Sequence, residues 1–382
     1  MRWFLLLLLV LIAPLAVAGD PKIQSADALD ADEQEERRTS TFMREAAQYR
    51  IGSATATADP AADAAVLAGL AKAERMRTEG GRAWYQLWLV SPLTRARWIA
   101  EDTFEEHPYS SHTGEVIAFT LNCRAGKSEV RGTLNELQKL WFYLPNYPDL
   151  RAAMRTTLEM AERLQQFEAA VDLDVEDPRQ VVRIDGRSFV YDIDDVFRFL
   201  SKNGDREEIA PRAALGLARS LLLSGEREDR WKARRAYEDF LERFPDSPLV
   251  FQAVIEQALS HLVTYKGADY DVGALLDARD LVDLAELEAG GDPARAALVT
   301  AYRKRIGGWL QDRDLSVAMW YTARTRPWWL AWLKRPPQLT DADAGARYYA
   351  AAVVKRDRTS PQAAKAQVLS EQLPAPAGQL GQ

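Results

Sequence analysis

The side chains that most often carry enzymatic chemistry are scarce in this sequence. Its 382 residues include three histidines, His107, His112 and His261, and one cysteine, Cys123. A catalytic triad or a histidine-rich metal centre needs several such residues at defined spacings, and no nucleophile motif lies beside His107 or His112. P-loop, G-x-S-x-G and H-E-x-x-H patterns are also absent. The sequence therefore predicts a protein that is not an enzyme and that needs no cofactor or metal.

Carboxylates are numerous, and one run of them has a spacing that cation sites use. Asp172, Asp174 and Glu176 alternate with apolar residues, as ligands do at the start of a calcium loop. The glycine and the distal glutamate of an EF-hand are missing, so we interpret the run as an exposed acidic loop. Cys123 lies near Phe119 on an apolar helical face and is predicted to be buried packing.

Composition bounds the class of protein and of partner. The chain has 49 Lys and Arg against 56 Asp and Glu, a net charge of −7, so it lacks the basic surface that nucleic-acid binding needs. A single cysteine excludes an internal disulfide. With 47% hydrophobic residues the chain can build a real core, and its length suits two domains or one elongated array.

The N-terminus has the order of a secretory signal peptide. Arg2 precedes an apolar run, and Ala16 and Ala18 supply small residues at the predicted cleavage site. The apolar run is shorter than the roughly 20 residues that span a bilayer, although an uncleaved anchor is the alternative. We therefore expect export to the periplasm. No cysteine follows the leader, so we expect no lipid attached at a cysteine.

An amino-acid pattern recurs along the chain, with small or apolar residues, an aromatic residue and then a proline where a helix would end. In the clearest copy, Ala233 and Ala236 let two helices approach, and Tyr237, Phe240 and Leu241 fill the space between neighbouring units. One unit cannot bury its apolar face alone, so stacked copies would share one continuous core. Unrelated helices that end in proline are the alternative. The copies span residues 96–110, 134–149, 233–247 and 346–361.

The helical pattern is interrupted near the middle of the chain. Asp185-Gly186 lies between two alternating apolar runs, from Val181 to Tyr191, which is typical of a β-hairpin. We predict a small hairpin that acts as a spacer between two repeat blocks; a partner-binding projection is the alternative. Asp192 is predicted to cap the next helix, whose buried face would comprise Ile193, Val196, Phe197 and Leu200.

The copy at residues 233–247 resembles the tetratricopeptide units of BamD-like outer-membrane assembly proteins. Residues 312–321 and 345–360 resemble the last helix pair of that family, although Arg358 stands where the family has proline. The likeness covers roughly residues 80–372, motif by motif. It implies an all-α, tetratricopeptide-like right-handed superhelix of helix hairpins. The small β-hairpin insertion is predicted separately, from the Asp185-Gly186 pattern.

The predicted domains follow from these patterns. They are a signal peptide (1–18), a flexible N-terminal segment (19–60), N-terminal helical repeats (61–170), an acidic loop with the β-hairpin (171–192), C-terminal helical repeats (193–372) and a disordered tail (373–382).

The resemblance also implies a function. Its members are held at the outer membrane by a lipid and assist β-barrel insertion through contacts with a barrel subunit and accessory lipoproteins. This chain lacks the lipidated cysteine. The expectation is a periplasmic scaffold that binds envelope proteins, among them a β-barrel assembly subunit. A periplasmic spacer or adaptor without a role in barrel assembly is the alternative, and an enzyme acting on envelope polymers is a weaker one.

Two groups of aromatic residues are candidate binding sites. The first would line a groove for an extended peptide, with ordinary packing as the alternative. The second is interleaved with basic residues and would meet a partner or the anionic outer-membrane surface, or would cap the end of the core. The groove residues are Trp84, Tyr85, Trp88 and Trp98. The patch residues are Trp320, Arg326, Trp328, Trp329, Trp332, Lys334 and Arg335.

Overall fold

The structure is a computed structural model, and it confirms the all-α prediction. It describes residues 59–79, 91–107, 110–165, 171–182, 190–224, 227–267, 272–323 and 342–373. Within these ranges the chain forms 13 α-helices and one 3₁₀ turn, Pro178–Gln180. The helices are α1 (Pro60–Glu79), α2 (Pro92–Glu106), α3 (Thr113–Gly126), α4 (Val130–Tyr143), α5 (Leu150–Gln165), α6 (Val190–Asn203), α7 (Ile209–Leu223), α8 (Arg227–Arg243), α9 (Val250–Val263), α10 (Gly273–Glu288), α11 (Pro293–Ala323), α12 (Ala342–Arg356) and α13 (Pro361–Gln372).

The chain divides into two compact units, and the division falls within α4. The first unit comprises residues 1–127 and 135–150, and the second comprises residues 128–134 and 151–382. In the first unit α1 packs on α2 and α2 on α3. The Asp63 carboxylate accepts hydrogen bonds from the hydroxyls of Ser110 (2.7 Å) and Ser111 (2.8 Å), which ties α1 to the segment before α3. Cys123 is buried as predicted, and burial raises the pKa of its thiol to about 11.

The second unit is a series of helices in which each one packs on the next, from α6 to α13. The residues of the clearest repeat copy do pack inside the molecule: Ala233, Tyr237 and Phe240 are buried, and Ala236 and Leu241 are partly buried against the same core. The helix ends at Arg243, before the proline of the copy. These residues belong to a large core built mainly by α7, α8, α9, α10 and the first half of α11.

Within the described ranges, the buried residues of α11 belong to two separate clusters and not to the one continuous core that the sequence predicts. Leu310 belongs to the large core, whereas Leu315 belongs to a separate small cluster shared with α12 and α13. Both lie on α11, a single helix of 31 residues. Between them Gln311 and Asp314 are buried polar residues, so a polar band interrupts the apolar contact along this helix.

The predicted β-hairpin is not formed as expected. One isolated antiparallel bridge joins Val171 to Val182, and no strand occurs in the described residues. Val190 and Tyr191, placed in the second strand, begin helix α6, and Asp192 lies inside that helix instead of capping it. The helical periodicity of the next residues decides the outcome, because the predicted face packs against α7. Its members Ile193, Val196, Phe197 and Leu200 are all buried. The Asp185-Gly186 turn lies outside the described residues.

The acidic loop is anchored on the long helix α11. Val171, Leu173 and Val175 pack against the large core, and Asp174 and Glu176 are exposed. The indole of Trp309 donates a hydrogen bond to the carbonyl oxygen of Glu176 at 2.8 Å. The alternation of the loop therefore packs its apolar side chains on the core and leaves Asp174 and Glu176 exposed. No group of three potential ligands that could hold a metal ion occurs in the parts of the chain that the structure describes.

Candidate functional site

Of the four residues predicted to line the aromatic groove, only Trp98 lies within the described residues. Trp98 lies on α2 and is 47% exposed, on a helix whose Ala96 and Ala100 are buried. The indole therefore lies on the side of α2 opposite to these buried alanines. The other groove residues, Trp84, Tyr85 and Trp88, lie outside the described residues.

Of the residues predicted to form the aromatic and basic patch, only Trp320 lies within the described residues. Trp320 lies in the last turns of α11 and is 43% exposed. The remaining patch residues, Arg326, Trp328, Trp329, Trp332, Lys334 and Arg335, lie outside the described residues.

Trp320 belongs to a row of four aromatic rings that the sequence analysis did not predict. Its ring meets that of Tyr321 edge to face, with centroids 5.0 Å apart. Tyr321 stacks on Tyr349 of α12 at 5.9 Å and an interplanar angle of 17°. Tyr349 meets Tyr348 edge to face at 5.3 Å. We call these four residues the aromatic row; Tyr348, at its end, is 70% exposed.

A glycine makes the close approach of these rings feasible. A Cβ atom at Gly345 would lie 3.0 Å from two ring carbons of Tyr321, so a larger residue would displace that ring. The guanidinium of Arg313 lies over the ring of Tyr349, 5.5 Å from its centroid. One small residue and one cation therefore hold the stacked pair in place.

Hydrogen bonds fix the helix that carries half of the row. The amide of Gln311 donates to the carbonyl oxygens of Val353 (3.0 Å) and Asp357 (3.2 Å) at the end of α12. The buried carboxylate of Asp314 accepts from Arg313 at 2.9 Å and from Arg356 at 3.2 Å. This polar clamp sets α12 against α11, so the aromatic row is preorganised.

An apolar cleft lies close to the row in sequence, between α11 and α13. Its volume is about 410 Å³, and Met319 and Val368 on its walls are 57% and 54% exposed. The row and the cleft thus expose aromatic and aliphatic side chains that a globular domain would ordinarily bury or replace. We call α11 and α12, which carry the row, the C-terminal hairpin. Tyrosine, tryptophan and arginine are the residue types that carry most binding energy at protein interfaces. The arrangement can bind apolar or aromatic groups of a partner.

Neither a protein-family model nor a curated protein matches this sequence. The resemblance described above therefore depends on the motifs quoted for it. Among the described helices, none is both long and apolar enough to cross a membrane.

Proposed function

We propose that the protein is an exported, non-catalytic helical-repeat scaffold of the periplasm that binds envelope proteins. The main support is the aromatic row, which presents Tyr348 to solvent on a hairpin fixed by buried hydrogen bonds. Rigid aromatic side chains lose little conformational entropy when a partner binds, so they contribute strongly to affinity. A BamD-like role in β-barrel assembly is the specific form of the proposal.

The successive packing of helices supports the proposal in a second way. Helices that pack in succession present a series of outer faces, and such arrays bind partners over extended surfaces. Trp98 on α2 and Trp320 on α11 are exposed on different helices of the chain. Binding through such surfaces needs no covalent step. Export is supported by the order of charged, apolar and small residues at positions 1–18.

A photo-crosslinking amino acid at position 348 tests the proposal in intact cells. We expect a discrete adduct with a subunit of the β-barrel assembly machinery, identified by mass spectrometry. The matched control carries the same amino acid at Leu287 on α10, which is 78% exposed and distant in sequence from the row. A partner specific to position 348 supports the scaffold. Identical adducts at both positions, or no adduct, would contradict it and favour the spacer.

A fractionation experiment tests the export part separately. Cells that express the full sequence should contain the mature protein in the periplasmic fraction, beginning near Gly19. A protein that starts at Met1 and stays with the cytosol would contradict the proposal.

A further inference from the structure

A second cleft, in the large-core region, has a chemistry that the proposed function does not use. Its volume is about 790 Å³, and cationic residues dominate its charged walls. We propose that this basic cleft binds a phosphate-bearing ligand of charge −2 or more, whose organic part lies on the indole of Trp231. The charged and aromatic residues that define the basic cleft are Arg179, Arg230, Trp231, Arg234, Lys266 and Asp277.

Separate segments of the chain bring these charges together. Arg230 and Arg234 are four residues apart on α8 and therefore share one helical face. Lys266 comes from the segment after α9, and Arg179 from the 3₁₀ turn of the acidic loop. Asp277, on α10, is the one carboxylate among the lining residues that the structure describes. The described lining thus carries four cations and one anion, and one of the cations, Arg179, is also paired with Asp177 beside the cleft.

This local charge is opposite in sign to that of the whole chain, which is −7. Cations crowded into one concave site repel one another, and a bound anion relieves that repulsion. A ligand with one negative charge would leave an excess of cations. Guanidinium groups match the oxygen geometry of phosphate, which they bind with two parallel hydrogen bonds. The site therefore fits a phosphomonoester or a diphosphate better than a single carboxylate.

A purely structural role explains only part of the cleft. Arg230 donates to the carbonyl oxygen of Val263 at 3.5 Å, and Arg234 donates to the hydroxyl of Thr264. Both arginines thus interact with the C-terminal end of α9, where cations are favoured. However, Nε of Arg230 is buried without a hydrogen-bond partner. Lys266 is exposed in the cleft and is not needed to explain how α9 ends.

Trp231 supplies the surface for the organic part of the ligand. Its side chain is 62% exposed, although the guanidinium of Arg234 lies 4.9 Å from its ring centroid. With Arg234 beside this exposed ring, the guanidinium would bind the phosphate of a ligand, and the indole would contact its adjoining planar or sugar group.

His261 is a natural reporter inside this region. Its imidazole lies 3.2 Å from the carboxylate of Asp277. Burial, and then the positive charge of Arg234, lower the pKa of His261 to about 4. A bound phosphate beside Arg234 would offset that positive charge. The pKa of His261 should therefore rise when the cleft is filled.

Calorimetric titration of the mature protein with pyrophosphate tests the inference. Arg179→Ala and Lys266→Ala should each weaken binding about tenfold, because each removes one charged contact. The matched control is Arg198→Ala. Arg198 pairs with Asp195 much as Arg179 pairs with Asp177, but it lies on α6 outside the cleft. No binding of pyrophosphate, equal binding of citrate, or equal weakening in Arg198→Ala would overturn the proposal.

Two further measurements locate the ligand and identify its source. Phenyl phosphate should bind less tightly to Trp231→Ala than to the native protein, whereas pyrophosphate should bind both equally. By NMR, pyrophosphate should raise the pKa of His261; an unchanged value would overturn the placement. Flotation with phosphatidic acid vesicles that is lost in Lys266→Ala assigns the phosphate to a lipid headgroup. Pyrophosphate binding without flotation assigns it to a soluble compound.

Discussion

The large core and the C-terminal hairpin contain similar sequence patterns, but the aromatic residues are buried in the first and exposed or partly exposed in the second. In α8 the residues four and seven places after Ala233 are Tyr237 and Phe240, and both rings are buried. In α12 the residues four and seven places after Ala346 are Ala350 and Val353, and these small side chains are buried instead. Tyr348 and Tyr349 of α12 occupy the two positions before Ala350. They therefore lie away from the buried centre of the contact between α11 and α12. A shift of one or two positions turns aromatic residues from core into surface.

The two regions also differ in how polar groups hold them. In the large core, Arg219 of α7 pairs with the buried carboxylate of Glu256 of α9, with the closest N–O distance 2.7 Å, while the guanidinium is partly exposed. The hydroxyl of Tyr237 donates to the same carboxylate at 3.2 Å, so three successive helices meet at one charge. Burial raises the pKa of Glu256, and Arg219 opposes that rise. In the hairpin, Gln311 and Asp314 interact mainly with the end of one helix, α12.

The largest expected effect comes from breaking the buried ion pair. Arg219→Met leaves the carboxylate of Glu256 without its cation inside the core. We expect a loss of about 3–5 kcal/mol in the free energy of unfolding, measured by urea denaturation. The double variant Arg219→Met/Glu256→Leu should recover most of that loss, since it removes both charges. Equal losses in the single and double variants would show that packing, and not the charge, determines the effect.

The second expected effect is a pH dependence that belongs to the large core. The pKa of His261 is lowered to about 4, below its value of about 6.5 in an unfolded chain. The folded state therefore binds fewer protons between these values. The resulting stability is fully present above pH 6.5 and is lost as the pH falls towards 4. On the order of 3 kcal/mol is at stake.

The difference between the native protein and His261→Gln measures this contribution. The difference is needed because Asp194 acts in the opposite direction: burial raises its pKa to about 6, so its contribution is lost as the pH rises. The unfolding free energy of His261→Gln should fall less steeply below pH 6.5 than that of the native protein. Parallel pH profiles would contradict the assignment.

A third, smaller effect distinguishes the binding role of the aromatic row from the stability of the helices that carry it. Gly345→Leu would push the ring of Tyr321 away from Tyr349, with an overpacking cost of about 1–3 kcal/mol. Thermal unfolding measures that cost, and the adduct at position 348 should disappear. Gly307→Leu on α11 is the control, because a Cβ atom there meets open space. It should leave the adduct unchanged; loss of the adduct in both variants would contradict a specific role for the row.

The sequence was a good guide where contacts are local and periodic. The buried face of α8 could be predicted because Ala233, Tyr237 and Phe240 recur at helical spacing. The prediction that Val190 and Tyr191 end a β-strand was wrong, because so short an apolar run suits a strand or a helix and these residues begin a helix that packs on α7. Tyr349 resembled a family position, but its stack on Tyr321 was not predicted.

The basic cleft could not be predicted from the sequence, because its residues are far apart along the chain. Arg179, Arg234 and Lys266 are separated by tens of residues, and no spacing rule relates a loop, a helix and a helix end. Their meeting depends on how the acidic loop, α8 and α9 pack on one core. Trp231 was overlooked because one exposed tryptophan in a charged helix has no periodic signal.

The central claim is that the exposed ring of the aromatic row, Tyr348, serves binding and does not maintain the fold. The free energy of unfolding of Tyr348→Ala, measured beside Tyr237→Ala, tests it most directly. We expect Tyr348→Ala to change stability by less than about 0.5 kcal/mol and Tyr237→Ala to reduce it by about 3–5 kcal/mol. A loss of about 2 kcal/mol or more in Tyr348→Ala would show that the row caps the core, and would contradict this account.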